Sequence, residues 1–437
     1  MQTDTANPTE ERTTLERMMP WALGALLVVG LAGLGTACGL GWDSDDGGKH
    51  LLHCYLVNYC FFLSISLGAL FFVALQHATR AGWSVTLRRL AEVLAANVPL
   101  LALLFLPILV PVLLNVPALK QWLFSNLDQA VGPDHWLYVA CDRLANVHLF
   151  PWTDSEVVAG DELLRHKAPY LNPAFFAIRA VFYFAVWWLL ARFFLRRSLA
   201  QDLSGDPHLT VRMERLSPVA LLLFAVTVTF ASFDWLMSLE PAWFSTIFGV
   251  YYFSGAAIGF LATIILLAML LQATGRLNRS ITVEHYHDLG KLLFGFVVFW
   301  GYIAFSQYML IWYANIPEET TWFLARQSGS WKWVSVILLF GHLLIPFFGL
   351  LSRGVKRRKI LLGSWALWML AAHWLDLYWL VMPSLGAEAV PPGPIDLACF
   401  VGLGGVYLAG VVWTAGNRSL VPLADPRLRE SLAFENT

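Results

Sequence analysis

In the segment His373-Trp-Leu-Asp376 an imidazole and a carboxylate stand three residues apart, the spacing that places two side chains on one face of a helix. The residues around them are apolar. An ionisable group at the middle of a bilayer costs roughly 2.5–3.5 kcal/mol on insertion scales, so one that is kept there passes a proton, binds something or ties helices together. His53, Asn58, Asp234 and Gln307 have the same character. With His373 and Asp376 they are expected in the outer half of a membrane domain. Carboxylates and imidazoles in that position can take a proton from a hydroxyl donor and hand it to outer water. The alternative for each residue alone is an interfacial anchor with ordinary hydrogen bonds.

A second set lies in Glu284-His-Tyr-His-Asp-Leu-Gly-Lys291. His285 and Asp288 are three apart, as are Asp288 and Lys291, and His287 and Lys291 are four apart. All can face one side of the first turns of a helix, where acidic groups also favour the N-terminus. The set reads as an inner proton inlet or as a solvated helix start. His342 sits near the middle of its apolar run with no charge beside it. It is either an interhelical tie or the midpoint of a proton path, which Tyr302, Gln307 and Tyr308 could extend. Haem ligation needs two histidines at matched depth, and His342 and His373 are read at different depths.

The elements that carry these residues follow from hydropathy. A bilayer-spanning helix needs about 20 apolar residues. Ten stretches qualify, at 20–41, 51–77, 93–116, 174–194, 217–237, 244–271, 289–313, 331–351, 360–382 and 395–415. Lys and Arg set the orientation. One alternating set of connections holds only Lys49, Lys120, Arg143, Arg165, Lys167, Arg326 and Lys332. The others, apart from Arg179 inside a helix, fall on the opposite side, which is therefore read as cytoplasmic and carries both termini. The expected layout is a tail over 1–18, a ten-helix membrane domain over 19–415 with an outer loop region at 117–173, and a second cytoplasmic tail over 416–437. The outer loop is expected to form a small cap of amphipathic pieces, and Asp43, Asp45 and Asp46 crowd the first outer loop. Around Asp234 the run FDWLMSLEPAWFST reads as a helix, a turn at Glu240-Pro241 and a new helix capped by Ser245 or Thr246. The helix ends at Ala74–Thr86 and Ala268–Thr282 are alike, which hints at two parallel four-helix units, helices 2–5 and 6–9, flanked by helices 1 and 10.

Composition sets bounds on function. Hydrophobic residues make up 58% and charged residues only 14%, against about 25% charged in soluble domains. A net charge of -1 gives no bulk attraction to nucleic acid. Cys38, Cys54, Cys60, Cys141 and Cys399 form no CxxC or CxxCH pattern, so spacing suggests no zinc, iron–sulfur or covalent haem site. The segment before the first apolar run has mixed charges and no small-residue cleavage site, so that run is expected as a retained helix.

Three motifs together, Phe233–Gly249, Ile281–Trp300 and His373–Pro383, resemble those of the second large quinone-type membrane subunit of bacterial alternative complex III. That family lies in the polysulfide-reductase/nitrite-reductase membrane-anchor superfamily. The resemblance covers nearly the whole chain. The homologous quinol-binding membrane subunit of the same complex shares the Asp-Trp-x-Met-Ser element. The resemblance implies a respiratory quinol:cytochrome c (or other electron carrier) oxidoreductase in the bacterial inner membrane. The implied partners are that homologous quinol-binding subunit, an iron–sulfur protein, multihaem c-type cytochromes, small membrane subunits and a terminal oxidase. Haem and clusters would sit in those partners, while this chain would contact quinone (menaquinone) or lipid and supply a proton route. Carried over, Asp234, His373 and Asp376 fall in the outer motifs and His287, Asp288 and Lys291 in the inner one. The rival readings are the anchor of another quinone-linked reductase, a secondary transporter and a purely structural scaffold.

Overall fold

A computed structural model describes residues 13–15, 19–42, 48–386 and 392–436. Most of the expected N-terminal tail, all of Asp43, Asp45 and Asp46, and the middle of the Pro383–Pro394 turn lie outside the described residues. Ten helices are long and apolar enough to cross a membrane. They are α1 (Met19–Gly41), α2 (Lys49–Ala78), α3 (Val85–Leu114), α4 (Pro173–Ser204), α5 (His208–Leu239), α6 (Phe248–Ala273), α7 (Val283–Ala314), α8 (Trp331–Leu351), α9 (Lys359–Leu385) and α10 (Pro394–Ala415). No strand occurs among the described residues. The chain is a multi-pass, all-helical membrane protein.

Several helices run past the hydropathy bounds at the end that carries the termini. α3 begins at Val85 rather than 93, and α4 continues to Ser204 rather than 194. At the start of α3 the helix runs on through charged residues because they are paired inside. Arg89 is buried and its guanidinium reaches Glu92 (3.0 Å), Asp202 (2.7 Å) and the Ser198 hydroxyl (2.9 Å).

α2 is buried along almost its whole length and touches α3, α5, α6, α9 and α10. α6 is the second centre, against α2, α5, α7 and α9. α1 packs on α10 through bare backbone: a Cβ on Gly33 would stand 2.6 Å from the Gly402 nitrogen, and one on Gly30 would stand 2.6 Å from the Val406 nitrogen. Small residues permit this approach where lipid gives no hydrophobic drive to association.

Prolines break two spans. α3 consists of Val85–Ala95, Val98–Leu104 and Leu106–Leu114. At its second break the amides of Phe105 and Ile108 bond only three residues back, to Ala102 and Phe105. The carbonyls of Leu101 and Leu104 accept instead from the hydroxyls of Tyr59 (3.0 Å) and Tyr55 (2.6 Å) on α2. In α8, Pro346 has no N–H for the carbonyl four residues earlier, that of His342. There the chain widens into a π-helical segment, Leu339–Leu344.

The ends of α2 and α6 share one cap. Thr79, Arg80 and Ala81 donate to Leu75, His77 and Gln76, and Thr274, Gly275 and Arg276 donate to Leu270, Gln272 and Leu271 in the same pattern. Arg80 (φ 53°) and Gly275 (φ 77°) are left-handed at equivalent places, as this kind of helix end requires. The region 117–173 forms short helices, Pro117–Val131, Trp136–Asn146, Ser155–Gly160 and Glu162–Lys167. It is tied to the α5–α6 connection by Trp152 Nε1 on the Ser238 hydroxyl (3.2 Å) and Lys167 Nζ on the Pro241 carbonyl (2.6 Å). The helix after Pro241 starts at Phe248 behind Ile247, and neither Ser245 nor Thr246 caps it.

Residues 416–436 dock rather than trail as a tail: Val421 and Ser431 are fully buried. The Leu420 amide donates to the Thr13 carbonyl (2.8 Å), so the C-terminal segment meets residues 13–15.

Candidate functional site

α8 and α9 are consecutive antiparallel helices, joined through Arg353–Arg357. His342 and His373 lie equally far along the chain from Arg357–Arg358, and the structure brings them to the same depth. One ligating atom each from His342, His373 and Asp376 lie within 4.8 Å of one another, and all three side chains are buried. The expectation that His342 and His373 differ in depth, and that no charge accompanies His342, is thus corrected. His373, expected in the outer half, falls near the middle of α9.

Each member is positioned by a neighbouring helix. The Asp376 carboxylate accepts from the Tyr251 hydroxyl of α6 and from Trp300 Nε1 of α7 (3.2 Å). The His342 ring lies on the Trp300 indole, with centroids 3.9 Å apart. His373 Nε2 is 2.9 Å from the Ser64 hydroxyl, which donates to the Phe61 carbonyl (2.7 Å). His373 lies against open backbone of α6: a Cβ on Gly255 would be 2.8 Å from its Cε1, and one on Gly259 would be 2.9 Å from its Cδ2. Among the described residues no Lys or Arg pairs with Asp376, and both His342 nitrogens and His373 Nδ1 have no hydrogen-bond partner. Sequence reasoning missed Tyr251, Trp300 and Ser64. The two small residues four apart, Gly255 and Gly259, were the available signal for a close approach on α6.

The other expected path residues lie elsewhere. Tyr308 packs against Phe323 (5.2 Å), eight residues beyond Trp300 and so about 12 Å along α7. Tyr302 faces outward. Gln307 is buried, and its Oε1 lacks a partner among the described residues. His53 ties α2 to α9 through Nε2 and the Ser384 hydroxyl (3.1 Å), while Asn58 accepts from Trp374 Nε1 (2.8 Å).

Asp234 is closed by an ion pair. Arg179 donates to both its oxygens (2.7 and 2.9 Å) and Tyr183 adds a third bond (2.7 Å). The Arg179 guanidinium lies 4.0 Å from the Tyr170 ring, and burial, with the charge of Asp234 nearby, pushes the Tyr170 phenol up to about 12. Beside it opens a largely aromatic cavity of about 410 Å³, lined among others by Tyr170, Phe230, Phe233, Trp243 and Phe244. Arg326, fully buried, fills a second gap left by proline. Pro383 cannot donate to the Trp379 carbonyl, which takes Arg326 Nε instead (3.2 Å), and the same guanidinium meets Leu380 (3.0 Å) and Glu240 (2.8 Å). Burial pulls the Arg326 guanidinium below its ordinary range and Glu240 opposes this.

At the end with the termini, His285 is committed to structure. Its Nδ1 meets Thr282 (2.9 Å) in a capping box and its Nε2 meets Ser431 of the docked C-terminal segment (3.2 Å). Lys291 pairs with Asp288 and reaches Asn436 (3.0 Å), Glu284 pairs with Arg357, and His287 Nδ1 lies 3.9 Å from Asp288. Arg88 of α3 pairs with Asp425 of the C-terminal segment (2.9 Å), and both side chains are buried. His285 and Lys291 thus meet the docked C-terminal segment, while Asp288 and Glu284 are held in ion pairs with Lys291 and Arg357.

No protein-family model matches the chain, and no curated protein matches it significantly. What the central cluster can do follows from its groups alone: a carboxylate held by a phenol and an indole beside two imidazoles with unused nitrogens can store and pass a proton, or hold a cation.

Proposed function

We propose that this chain is a membrane subunit of a respiratory quinol:electron-acceptor (cytochrome c) oxidoreductase of the bacterial inner membrane, with both termini in the cytoplasm. In that role it supports quinol oxidation by partner subunits and carries part of a transmembrane proton path. The observation that carries the reading is the buried cluster of His342, His373 and Asp376 near mid-span, a placement that is costly unless used. The inner face of His287, Asp288 and Lys291 takes protons up. The aromatic cavity beside Asp234 is large enough for a quinone ring or a lipid chain, within the roughly 300–1,000 Å³ of small-ligand sites. The neighbour pattern α2–α3–α4–α5 and α6–α7–α8–α9, with the shared cap of α2 and α6, supports two parallel four-helix units flanked by α1 and α10. Electrons pass through haem and iron–sulfur partners: an iron–sulfur protein, multihaem c-type cytochromes and a homologous quinol-binding membrane subunit.

Purification from native membranes in mild detergent, followed by mass spectrometry and an absorbance spectrum, tests this reading. Co-purification with c-type cytochromes and an iron–sulfur protein is expected; a colourless chain that emerges alone from intact membranes in several detergents would contradict it. One observation favours a second reading, a secondary transporter: the π-helical break of α8 falls on the polar cluster, as broken helices do at transporter sites. Solute uptake by liposomes holding the chain alone would select it.

A further inference from the structure

We infer that His342, His373 and Asp376 form a binding site for one divalent transition-metal ion of the zinc class. The inference does not rest on the quinol reading.

The hydrogen-bond directions set the first donor. The Ser64 hydroxyl spends its proton on the Phe61 carbonyl, so towards His373 Nε2 its oxygen accepts. That places the ring proton of a neutral His373 on Nε2 and leaves Nδ1 with a bare lone pair. Nδ1 is on the Asp376 side: one point, the place of a Cβ on Gly255, is 2.9 Å from His373 Nδ1 and 3.8 Å from Asp376 Oδ2. A metal-bound histidine characteristically donates its other N–H to a nearby acceptor, and His373 is already arranged so.

The other two donors agree. Asp376 receives the Tyr251 hydroxyl and the Trp300 indole, the kind of outer hydrogen bonding that holds a ligating carboxylate. His342 is fully buried and neither of its nitrogens has a partner among the described residues. Buried polar atoms are nearly all satisfied in native proteins, and an orphan points to water or an ion. A cation takes up the lone pairs of both imidazoles and balances a carboxylate that no Lys or Arg pairs with among the described residues. With the ligand atoms within 4.8 Å of one another, small ring rotations reach the roughly 2.0–2.2 Å bonds of zinc with nitrogen and oxygen. Two imidazoles and one carboxylate suit zinc or ferrous iron and leave a position open for water. The π-helical segment and Gly255 and Gly259 of α6 are the backbone devices that let the two rings meet there. An ion on these nitrogens occupies the positions a proton relay would use, so filling the site slows any proton transfer through it.

The test uses the full chain in detergent, stripped with chelator and titrated with Zn²⁺ and with Co²⁺ as a coloured probe. One ion per chain is expected, with the visible Co²⁺ bands of a nitrogen–oxygen site. His342→Gln and Asp376→Asn should abolish stoichiometric binding. Tyr251→Phe, which keeps the ring and removes only the bond to Asp376, should weaken binding roughly 10–100-fold. The exposed His208→Gln should bind as wild type. Failure of the wild-type chain to take up one ion, or binding that Tyr251→Phe and His342→Gln leave unchanged, would overturn the inference. Neither result bears on which proteins co-purify with the chain.

Discussion

Arg179 of α4 grips Asp234 of α5 with two nearly parallel bonds, at 2.7 and 2.9 Å, and both side chains are buried. The pair joins two helices, and the Tyr170 ring against its guanidinium also lines the aromatic cavity. Asp234 is thus a fastening, with its oxygens already used.

Removing one partner leaves a buried charge uncompensated, which costs about 3–5 kcal/mol. Asp234→Asn and Arg179→Ala should each lower the thermal unfolding midpoint of the detergent-solubilised chain sharply. The double variant should lose much less than the two losses added together, and strict additivity in a double-mutant cycle would refute the pairing.

The contact of α1 with α10 should fail under side-chain bulk. Gly33→Leu and Gly402→Leu each force a side chain into the partner's backbone, whereas a Cβ on Gly24 meets nothing within 4 Å. Disulfide cross-linking of cysteines placed across α1 and α10 should disappear in the first two variants and persist in Gly24→Leu.

Tyr59→Phe removes the donor to the Leu101 carbonyl at the break in α3. The expected cost is about 0.6–1.7 kcal/mol, the range for hydrogen bonds between membrane helices. Chemical-denaturation midpoints in mixed micelles would measure it, and no change would mean that another donor reaches Leu101.

Arg326→Ala strands the Trp379 carbonyl and leaves Glu240 unpaired. It should destabilise the chain by about 1–3 kcal/mol, the cost of leaving a buried acceptor unsatisfied, because the Glu240 side chain is 28% exposed and keeps access to solvent. Arg418→Ala, at an exposed residue whose guanidinium reaches only the Thr414 carbonyl among the described residues, should sit near wild type in the same thermal assay.

The ten spans were legible because apolar length alone identifies a membrane helix, and their alternating charge implied an even number with both ends together. What hydropathy could not show was pairing across helices. Arg179 was noticed only as a charge inside a helix, and His342 as a lone histidine, because their partners lie far away in sequence. The clue was present in the turns. In an antiparallel pair, residues equally far from the turn share a depth; Arg179 and Asp234 are so placed about Asp206–Pro207, and His342 and His373 about Arg357–Arg358. Tyr251, Trp300 and Ser64 could not be reached this way, since their helices neighbour the cluster through packing of α2, α6 and α7. The contacts of His285 and Lys291 with residues 416–436 were invisible in the sequence, because that segment is polar and short of apolar periodicity.

In the proposed function, Asp376 and its two histidines handle protons within a quinol-oxidising assembly. The most direct measurement is quinol-driven proton movement by the purified assembly in sealed liposomes, for wild type and for Asp376→Asn, with assembly checked by co-purification. A positioned acid–base group contributes about 10²–10⁴-fold, so proton movement should fall at least about a hundredfold in an intact assembly carrying Asp376→Asn. Wild-type proton movement by that variant would contradict the account.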